Sequence, residues 1–336
     1  MVPPLLTTHN DNQKGKNVTK VKKIMKILLA VAIITFILLL AIYINHKIHL
    51  NKEQKLLVPI STMVEIDGHN MSVYIEGSGE KTLVFMSGGG TCSPILDFKS
   101  LYSLLSNKYR IVVVEKFGYG FSDVVDKKRG IESILADTRA ALKAAGIEAP
   151  YVLCPHSMSG IEALYWAQQY PEEVLAIIGL DMVVPKSYQD YNINMPMLKL
   201  SQFASAVGIT RLLPGVSDSD AITNGTLSNK EKEIYKAVFY NRTATITMLN
   251  EVKSIKENAR KVESDHIPQV PMLLFVSNGE GTGWDKETWR SYQREYIANI
   301  ANSKMIELDC PHYIHDFEYQ VISEKIVEFL SYNTRL

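Results

Sequence analysis

The sequence CPHSMSG, residues 154–160, ends a short apolar run and opens a helical pattern at Ile161–Tyr170. A serine on such a sharp turn between strand and helix has its hydroxyl raised above the sheet. The amino terminus of the helix then aims backbone N–H groups at any anion that forms there. The usual form of this turn is G-x-S-x-G, and here Pro155 and Ser159 take the places of the two glycines. The motif predicts Ser157 as a nucleophile, with a helix N-cap as the alternative.

Outward from this turn, the chain alternates short apolar runs with helical patterns. Buried strands that lack polar alternation, separated by helices, indicate a parallel sheet covered on both faces. The predicted strands are Met63–Asp67, Met71–Glu76, Thr82–Met86, Arg110–Glu115, Tyr151–Cys154, Val174–Leu180, Pro271–Val276 and Lys304–Leu308. The alternation stops in residues 186–265, which are polar and helix-like. We therefore predict one α/β domain, residues 61–185 and 266–336, interrupted by a helical insertion.

A glycine-rich turn, Ser87–Thr91, follows one of the predicted strands. Glycines let backbone N–H groups approach a substrate closely. The N–H groups of Gly89 and Met158 are therefore predicted to form an oxyanion hole. The alternatives are a tight loop or a phosphate cradle, but the G-K-[ST] of a P-loop and the Rossmann glycine spacing do not occur in this sequence.

A serine nucleophile needs a base, and the base needs an acid that orients it. His312 lies in the loop after the last predicted strand, whereas His315 leads into a helix, so His312 is the predicted base. Glu280, which follows the preceding strand, is the predicted acid. Asp181 and Asp285 remain as alternative acids.

Residues 61–336 resemble an α/β-hydrolase. The order Ser157, Glu280, His312 matches the family's order of nucleophile, acid and histidine. The other matching stretches are Phe85–Gly89, Glu115–Ser122 and Pro311–Tyr313. The resemblance implies a sheet of about eight strands, a lid formed by residues 186–265, and catalysis without a cofactor.

The serine separates this chain from relatives that use an aspartate nucleophile, such as haloalkane dehalogenases and epoxide hydrolases. The resemblance then implies cleavage of a small-molecule carboxylic ester or amide through an acyl-enzyme. Two alternatives stay open: an aminopeptidase or acyltransferase of the same fold, and a non-catalytic binding or sensing module. The sequence does not decide the substrate or the oligomeric state.

Composition narrows the partners. The chain has 336 residues, with 36 Lys and Arg against 36 Asp and Glu, and a net charge of zero argues against a nucleic-acid binder. Its three cysteines are too few and too scattered for a disulfide scaffold or a structural zinc site. We therefore predict no metal and no nucleic-acid partner.

An apolar run near the amino terminus, Ile27–Ile44, contains 18 residues and no charge. As a helix it is about 27 Å long, which suits a bilayer. Six lysines precede it, so the positive-inside rule predicts a cytoplasmic amino terminus and an extracytoplasmic catalytic domain. We predict a basic tail in residues 1–23, a bilayer-spanning helix in 24–44 and a tether in 45–60. A cleaved signal peptide and a buried helix are the alternatives.

Overall fold

The computed structural model describes residues 8–332, with side chains from residue 19 onward. Its strands are β1 (Thr62–Ile66), β2 (His69–Glu76), β3 (Thr82–Met86), β4 (Arg110–Glu115), β5 (Tyr151–Pro155), β6 (Val174–Leu180), β7 (Met272–Val276) and β8 (Lys304–Glu307). They form one eight-stranded sheet in the order β1-β2-β4-β3-β5-β6-β7-β8. The first two pairings, β1 with β2 and β2 with β4, are antiparallel, and all others are parallel. The predicted eight-stranded, mostly parallel sheet is confirmed.

Alternate residues of the central strands supply two separate cores. Val84 and Met86 of β3 pack into one, while Leu83 and Phe85 pack into the other. Because successive side chains of a strand point to opposite faces, a strand buried on both faces must be apolar throughout. This is why the strand reads as the uninterrupted run TLVFM.

Helices cover both faces of the sheet, and a long helix precedes it at the amino terminus. They are α1 (Thr8–Glu53), α2 (Pro94–Asp97), α3 (Lys99–Leu105), α4 (Ile131–Ala144), α5 (Ser159–Gln169), α6 (Met195–Val207), α7 (Asp220–Thr223), α8 (Asn229–Arg242), α9 (Ile246–Glu263), α10 (Lys286–Ile297), α11 (Ile314–Phe317) and α12 (Tyr319–Tyr332). Helices α6 to α9 lie between β6 and β7, in the segment where the sequence predicts a helical insertion. Asn194 caps α6 and Thr245 caps α9, since each side chain accepts a hydrogen bond from a first-turn N–H group.

A buried ionic cluster fastens this insertion to the sheet domain. Lys116, in the turn after β4, donates a hydrogen bond to Glu162 of α5 at 2.6 Å and another to Glu251 of α9. Tyr119 also donates to Glu251, at 2.8 Å. Removing one partner of such a cluster leaves a buried charge unpaired, which typically costs about 3–5 kcal/mol. The insertion is therefore held in a defined position relative to the sheet.

Helix α1 is longer than the sequence predicts. The helical stretch Thr19–Leu56, which includes the 3₁₀ turn after α1, is long and apolar enough to cross a membrane, with a mean hydropathy of 3.1 over its most apolar window. Residues 8–23 of the predicted basic tail belong to this helix, and residues 1–7 lie outside the described residues. The predicted tether, residues 45–60, is also mostly helical: it continues α1 and ends in a 3₁₀ turn at Gln54–Leu56.

Contacts with the insertion explain the added helix. Arg211, which follows α6, donates to the two carboxylate oxygens of Glu53 at 2.8 and 2.6 Å, and to His46 Nδ1 at 2.9 Å. Its guanidinium also lies 4.0 Å from the ring centroid of Tyr240. A bidentate pair of this kind holds the carboxylate in one geometry. The end of α1 is thus docked on the insertion. The composition of residues 45–60 predicts a tether and does not reveal this contact.

Candidate active site

Ser157 lies at the turn between β5 and α5 with a φ of 53°. Non-glycine residues rarely adopt this left-handed conformation, and its cost is sustained only where the surrounding structure enforces it. The glycine-rich turn after β3 presses against it, because a Cβ on Gly88 would lie 2.7 Å from the Ser157 Cβ. On the other side, a Cβ on Gly160 would lie 2.2 Å from the carbonyl oxygen of Val183. The turn is therefore tightly enclosed and presents the Ser157 hydroxyl at the end of the strand.

The two departures from the usual glycine pattern fit this turn. Pro155 is the last residue of β5 and pairs in register with Met86 of β3. Ser159 is fully buried, and its hydroxyl lies 2.7 Å from the Met86 carbonyl oxygen and 2.8 Å from that of His156. A small side chain with its polar atom satisfied is tolerated where a larger one would collide.

A continuous hydrogen-bonded chain links three side chains at this turn. His312 Nε2 lies 2.8 Å from Ser157 Oγ, and His312 Nδ1 lies 2.5 Å from Asp181 Oδ2. The other oxygen of Asp181 accepts from the Ser277 N–H at 2.7 Å and from Trp289 Nε1 at 2.8 Å. Asp181 is completely buried and fixed by these three donors, so it holds the imidazole with Nε2 free to accept the serine proton.

The assignment of Glu280 as the orienting acid is corrected by this geometry. The Glu280 side chain is exposed and makes no hydrogen bond to His312; instead, its backbone carbonyl accepts from the His312 N–H at 2.9 Å. Asp285 is also excluded as the partner, because it caps α10 by accepting from the Thr288 N–H at 3.0 Å. The acid in place is Asp181, the alternative from the sequence. It immediately follows β6, whereas Glu280 is four residues beyond β7. The closeness of Asp181 to a strand end is the feature of the sequence that could have identified it as the acid.

The predicted oxyanion donors lie next to the serine. Gly89 and Met158 are neighbours, since a Cβ on Gly89 would lie 2.9 Å from the Met158 Cε. Within residues 8–332, no backbone or side-chain acceptor pairs with either N–H group. Two unpaired N–H groups beside a nucleophile can stabilise a developing oxyanion.

The ring of His156 lies between those of His312 and His315, a cluster that the sequence analysis did not predict. His156 Nε2 donates to the His312 carbonyl oxygen at 3.2 Å, with the ring centroids 4.7 Å apart. Burial lowers the pKa of His156 well below its usual value and lowers that of His315 to about 3. Both rings are therefore neutral at neutral pH and add no positive charge to the site.

The cysteines near the site are not nucleophile candidates. Cys92, Cys154 and Cys310 are free and buried, and burial raises the pKa of the Cys154 thiol far above its ordinary value. A thiol that stays protonated is a poor nucleophile. Among the described residues, no group of three or more His, Cys, Asp or Glu side chains has an arrangement that would hold a metal ion.

A cavity of about 560 Å³ opens at the serine. Ser157 and His312 line its base, and the insertion lines much of the rest. None of the described residues that line it is Asp, Glu, Lys or Arg. The apolar contribution of the insertion includes Tyr188, Met197, Leu198, Met248, Val252 and Ile255. The cavity therefore suits an uncharged, largely apolar group next to the serine hydroxyl.

Comparisons with known proteins agree with this architecture. A family model described as alpha/beta hydrolase fold matches residues 81–209. An uncharacterized protein of Bacillus subtilis (strain 168), YbdG, is 35% identical over 323 residues, which cover 94% of this chain and 98% of the relative. Epoxide hydrolase 1 of Caenorhabditis elegans is 23% identical over 259 residues, covering 67% of this chain and 59% of that protein. The crystal structure of Cfl2 from Burkholderia cenocepacia superposes with a TM-score of 0.64 at 18% identity, covering 80% of this chain and 94% of that one.

Proposed function

Because this chain belongs to the alpha/beta hydrolase fold family, we propose that it is a serine hydrolase acting on a carboxylic ester or amide through an acyl-enzyme on Ser157. The observation that carries the proposal is the unbroken chain from Ser157 Oγ through His312 to the buried Asp181, with contacts of 2.8 and 2.5 Å. This is the arrangement that turns an ordinary hydroxyl into a nucleophile.

In the proposed reaction, Ser157 Oγ attacks the substrate carbonyl while His312 Nε2 accepts its proton. The N–H groups of Gly89 and Met158 donate to the tetrahedral oxyanion, and each such donor typically contributes about 10²–10³ in rate. His312 then gives the proton to the leaving alcohol or amine. Asp181 stabilises the imidazolium from the time His312 accepts the proton until it gives the proton up. Water, activated by the same imidazole, releases the acid and restores the serine.

The walls of the cavity favour a neutral substrate. An aminopeptidase must bind a protonated amine, and a carboxylate near the serine would serve that purpose. The lining contains no Asp or Glu among the described residues, and the insertion acid Glu251 is paired with Lys116. An ester or amide with an apolar acyl group therefore fits better than the aminopeptidase alternative. An acyltransferase would use the same site with an acceptor other than water.

We also propose that α1 anchors the enzyme in a membrane, with the amino terminus in the cytoplasm and the catalytic domain outside. Its apolar side chains are uncovered by protein, as Phe36 and Ile37 illustrate with 65% and 57% exposure. A bilayer would cover them. A protease added to intact cells should remove the catalytic domain, and protection of the domain would contradict this orientation.

Trapping the acyl-enzyme tests the catalytic proposal. The full-length protein would be mixed with a short-chain p-nitrophenyl ester, quenched in acid and digested for mass spectrometry. We expect an acyl adduct on the peptide that contains Ser157 and none in the Ser157→Ala variant. Ser103→Ala, which changes an exposed serine of α3, is the matched control and should be acylated like the wild type. A folded wild type without an adduct on Ser157 would favour the non-catalytic binding module instead.

A further inference from the structure

The helical insertion carries an uncovered apolar surface that the catalytic site does not use. It comprises Met197, Leu200 and Phe203 of α6 and the following Leu212, Leu213 and Val216, which we call the apolar face. Their exposure ranges from 36% at Val216 to 58% at Leu200 and Leu212. The three residues of α6 recur at intervals of three and therefore share one side of that helix. A contiguous apolar surface of this kind marks an interaction site.

The two segments that form the apolar face, residues 197–203 and 212–216, contain a single charged residue. Helix α6 has a single charged residue, Lys199, and no acidic residue. Residues 212–216 read LLPGV, all of them exposed and apolar. A run of consecutive apolar residues is unfavourable on a surface that faces water, and it therefore indicates a functional contact. A lone lysine on such a helix is compatible with a lipid surface, since its stem packs on apolar groups while its ammonium reaches the headgroups.

The apolar face is joined to the proposed membrane helix by close contact. Gly208, which ends α6, has a φ of +90°, and a Cβ there would lie 2.3 Å from the Cβ of His46 in α1. Arg211, adjacent to Leu212, binds both His46 and Glu53. His46 is only two residues beyond Ile44, the end of the apolar run, which is about 3 Å along a helix axis. The docking point therefore lies at the carboxyl-terminal border of the apolar span.

The apolar face also reaches the cavity. Met197 is 56% exposed on the outside of α6 and lines the cavity as well, and Leu198 next to it is a second lining residue. A molecule in contact with the apolar face thus meets the cavity rim at Met197.

We propose that the apolar face rests on the bilayer that holds α1, and that the cavity takes an uncharged acyl ester or amide from that bilayer. The proposal rests on the proposed function, because it requires the membrane anchor and the reactive serine. It adds a substrate class, lipid-borne acyl compounds, and an entry route past α6.

Depth-dependent quenching tests the contact without relying on activity. Full-length variants with one introduced cysteine would carry an environment-sensitive fluorophore in phosphatidylcholine–phosphatidylglycerol vesicles, with and without brominated acyl chains. We expect strong quenching at Ile37→Cys, clear quenching at Leu200→Cys and Leu212→Cys, and none at Glu148→Cys, which is exposed just before the amino-terminal end of β5, the end opposite Ser157. The native cysteines are buried, and the protein without an introduced cysteine gives the background.

Three outcomes would overturn the contact. Quenching at residue 37 without quenching at 200 and 212 would keep the anchor but remove the apolar face from the bilayer. A fluorescence change at 200 and 212 that follows protein concentration and ignores brominated lipid would show that a second copy of the chain covers the face. An unquenched label at residue 37 would overturn both the anchor and the contact.

A second measurement tests substrate delivery. The Leu200→Ser/Phe203→Ser/Leu212→Ser variant should hydrolyse a long-chain acyl ester embedded in vesicles at least about 10-fold more slowly than the wild type. A water-soluble short-chain ester should be hydrolysed at the wild-type rate, which also shows that the variant is folded. Leu104→Ser/Val321→Ser, on exposed parts of α3 and α12, is the matched control and should change neither rate.

Equal wild-type and triple-variant rates on the embedded ester would overturn the delivery proposal while leaving the serine hydrolase intact. Failure of the wild type to hydrolyse either ester would instead overturn the proposed function and, with it, substrate delivery. In that case, quenching at residues 200 and 212 would still show the membrane contact, because the measurement does not depend on activity.

Discussion

The turns after β6 and β7 lie on neighbouring strands, and each carries a carboxylate that could orient His312. Asp181 leaves β6 directly and is completely buried, with its two oxygens engaged by three donors. Glu280 leaves β7 after four residues and is exposed, and only its backbone contacts His312. The comparison shows that burial and a full set of donors, rather than order along the chain, determine which acid pairs with the imidazole.

The largest expected effect comes from Asp181→Asn. An amide at this position favours the wrong imidazole tautomer and cannot stabilise the imidazolium, so kcat should fall by about 10⁴-fold. Steady-state hydrolysis of a p-nitrophenyl ester would measure it, and circular dichroism would confirm folding. A fall of less than about 10-fold would remove Asp181 from the proposed mechanism.

Trp289→Phe tests the contribution of one of the three hydrogen-bond donors to Asp181. Its indole N–H donates to Asp181 at 2.8 Å, and a hydrogen bond to a charged group contributes about 1.5–3 kcal/mol. We expect kcat to fall by about 10-fold with KM nearly unchanged, because the effect acts through the orientation of Asp181. Trp284→Phe, which changes a tryptophan in the loop just before α10, is the control. A rise in KM at constant kcat would show that Trp289 contacts substrate instead.

His315, in α11 after β8, makes the stability of the protein depend on pH. Burial lowers the pKa of His315 to about 3, whereas in the unfolded chain it is near 6.5. Below pH 6.5 the unfolded chain binds a proton that the folded protein does not, so this group makes stability fall as the pH drops. The loss should reach about 2 kcal/mol at pH 5.

His315→Phe isolates that contribution, since it retains a ring beside Phe98 but does not titrate. Denaturant midpoints between pH 7.5 and 5 should change less for the variant than for the wild type. Asp97 and Asp316 have pKa values raised by burial and oppose the trend, so the difference between the two proteins is the readout. Identical pH dependence in both would contradict a neutral His315.

The smallest expected effect is that of Glu280→Gln. The side chain is exposed, and the contact with His312 runs through the backbone carbonyl, which the substitution retains. Kcat should stay within about twofold of the wild type in the same ester assay. A loss comparable with that of Asp181→Asn would assign the orientation of His312 to Glu280 instead of Asp181.

Local patterns predict much of this molecule, and long-range contacts account for the rest. The sheet, Ser157 and His312 follow from apolar runs and from turns at strand ends, which are local features. The acid was misassigned because both turns precede His312 in the chain, so sequence order cannot separate Asp181 from Glu280. Similarly, residues 45–56 are helical because His46 and Glu53 meet Arg211, a contact more than 150 residues away along the chain.

Labelling with a fluorophosphonate probe tests the central claim most directly. The probe forms a covalent bond with a serine only where a base and an oxyanion site activate it. We expect the full-length wild type in membranes to be labelled, Glu280→Gln to be labelled at the same rate, Asp181→Asn to be labelled much more slowly, and Ser157→Ala to stay unlabelled. A folded wild type that resists the probe, or a Ser157→Ala variant labelled as fast as the wild type, would contradict the proposed serine hydrolase.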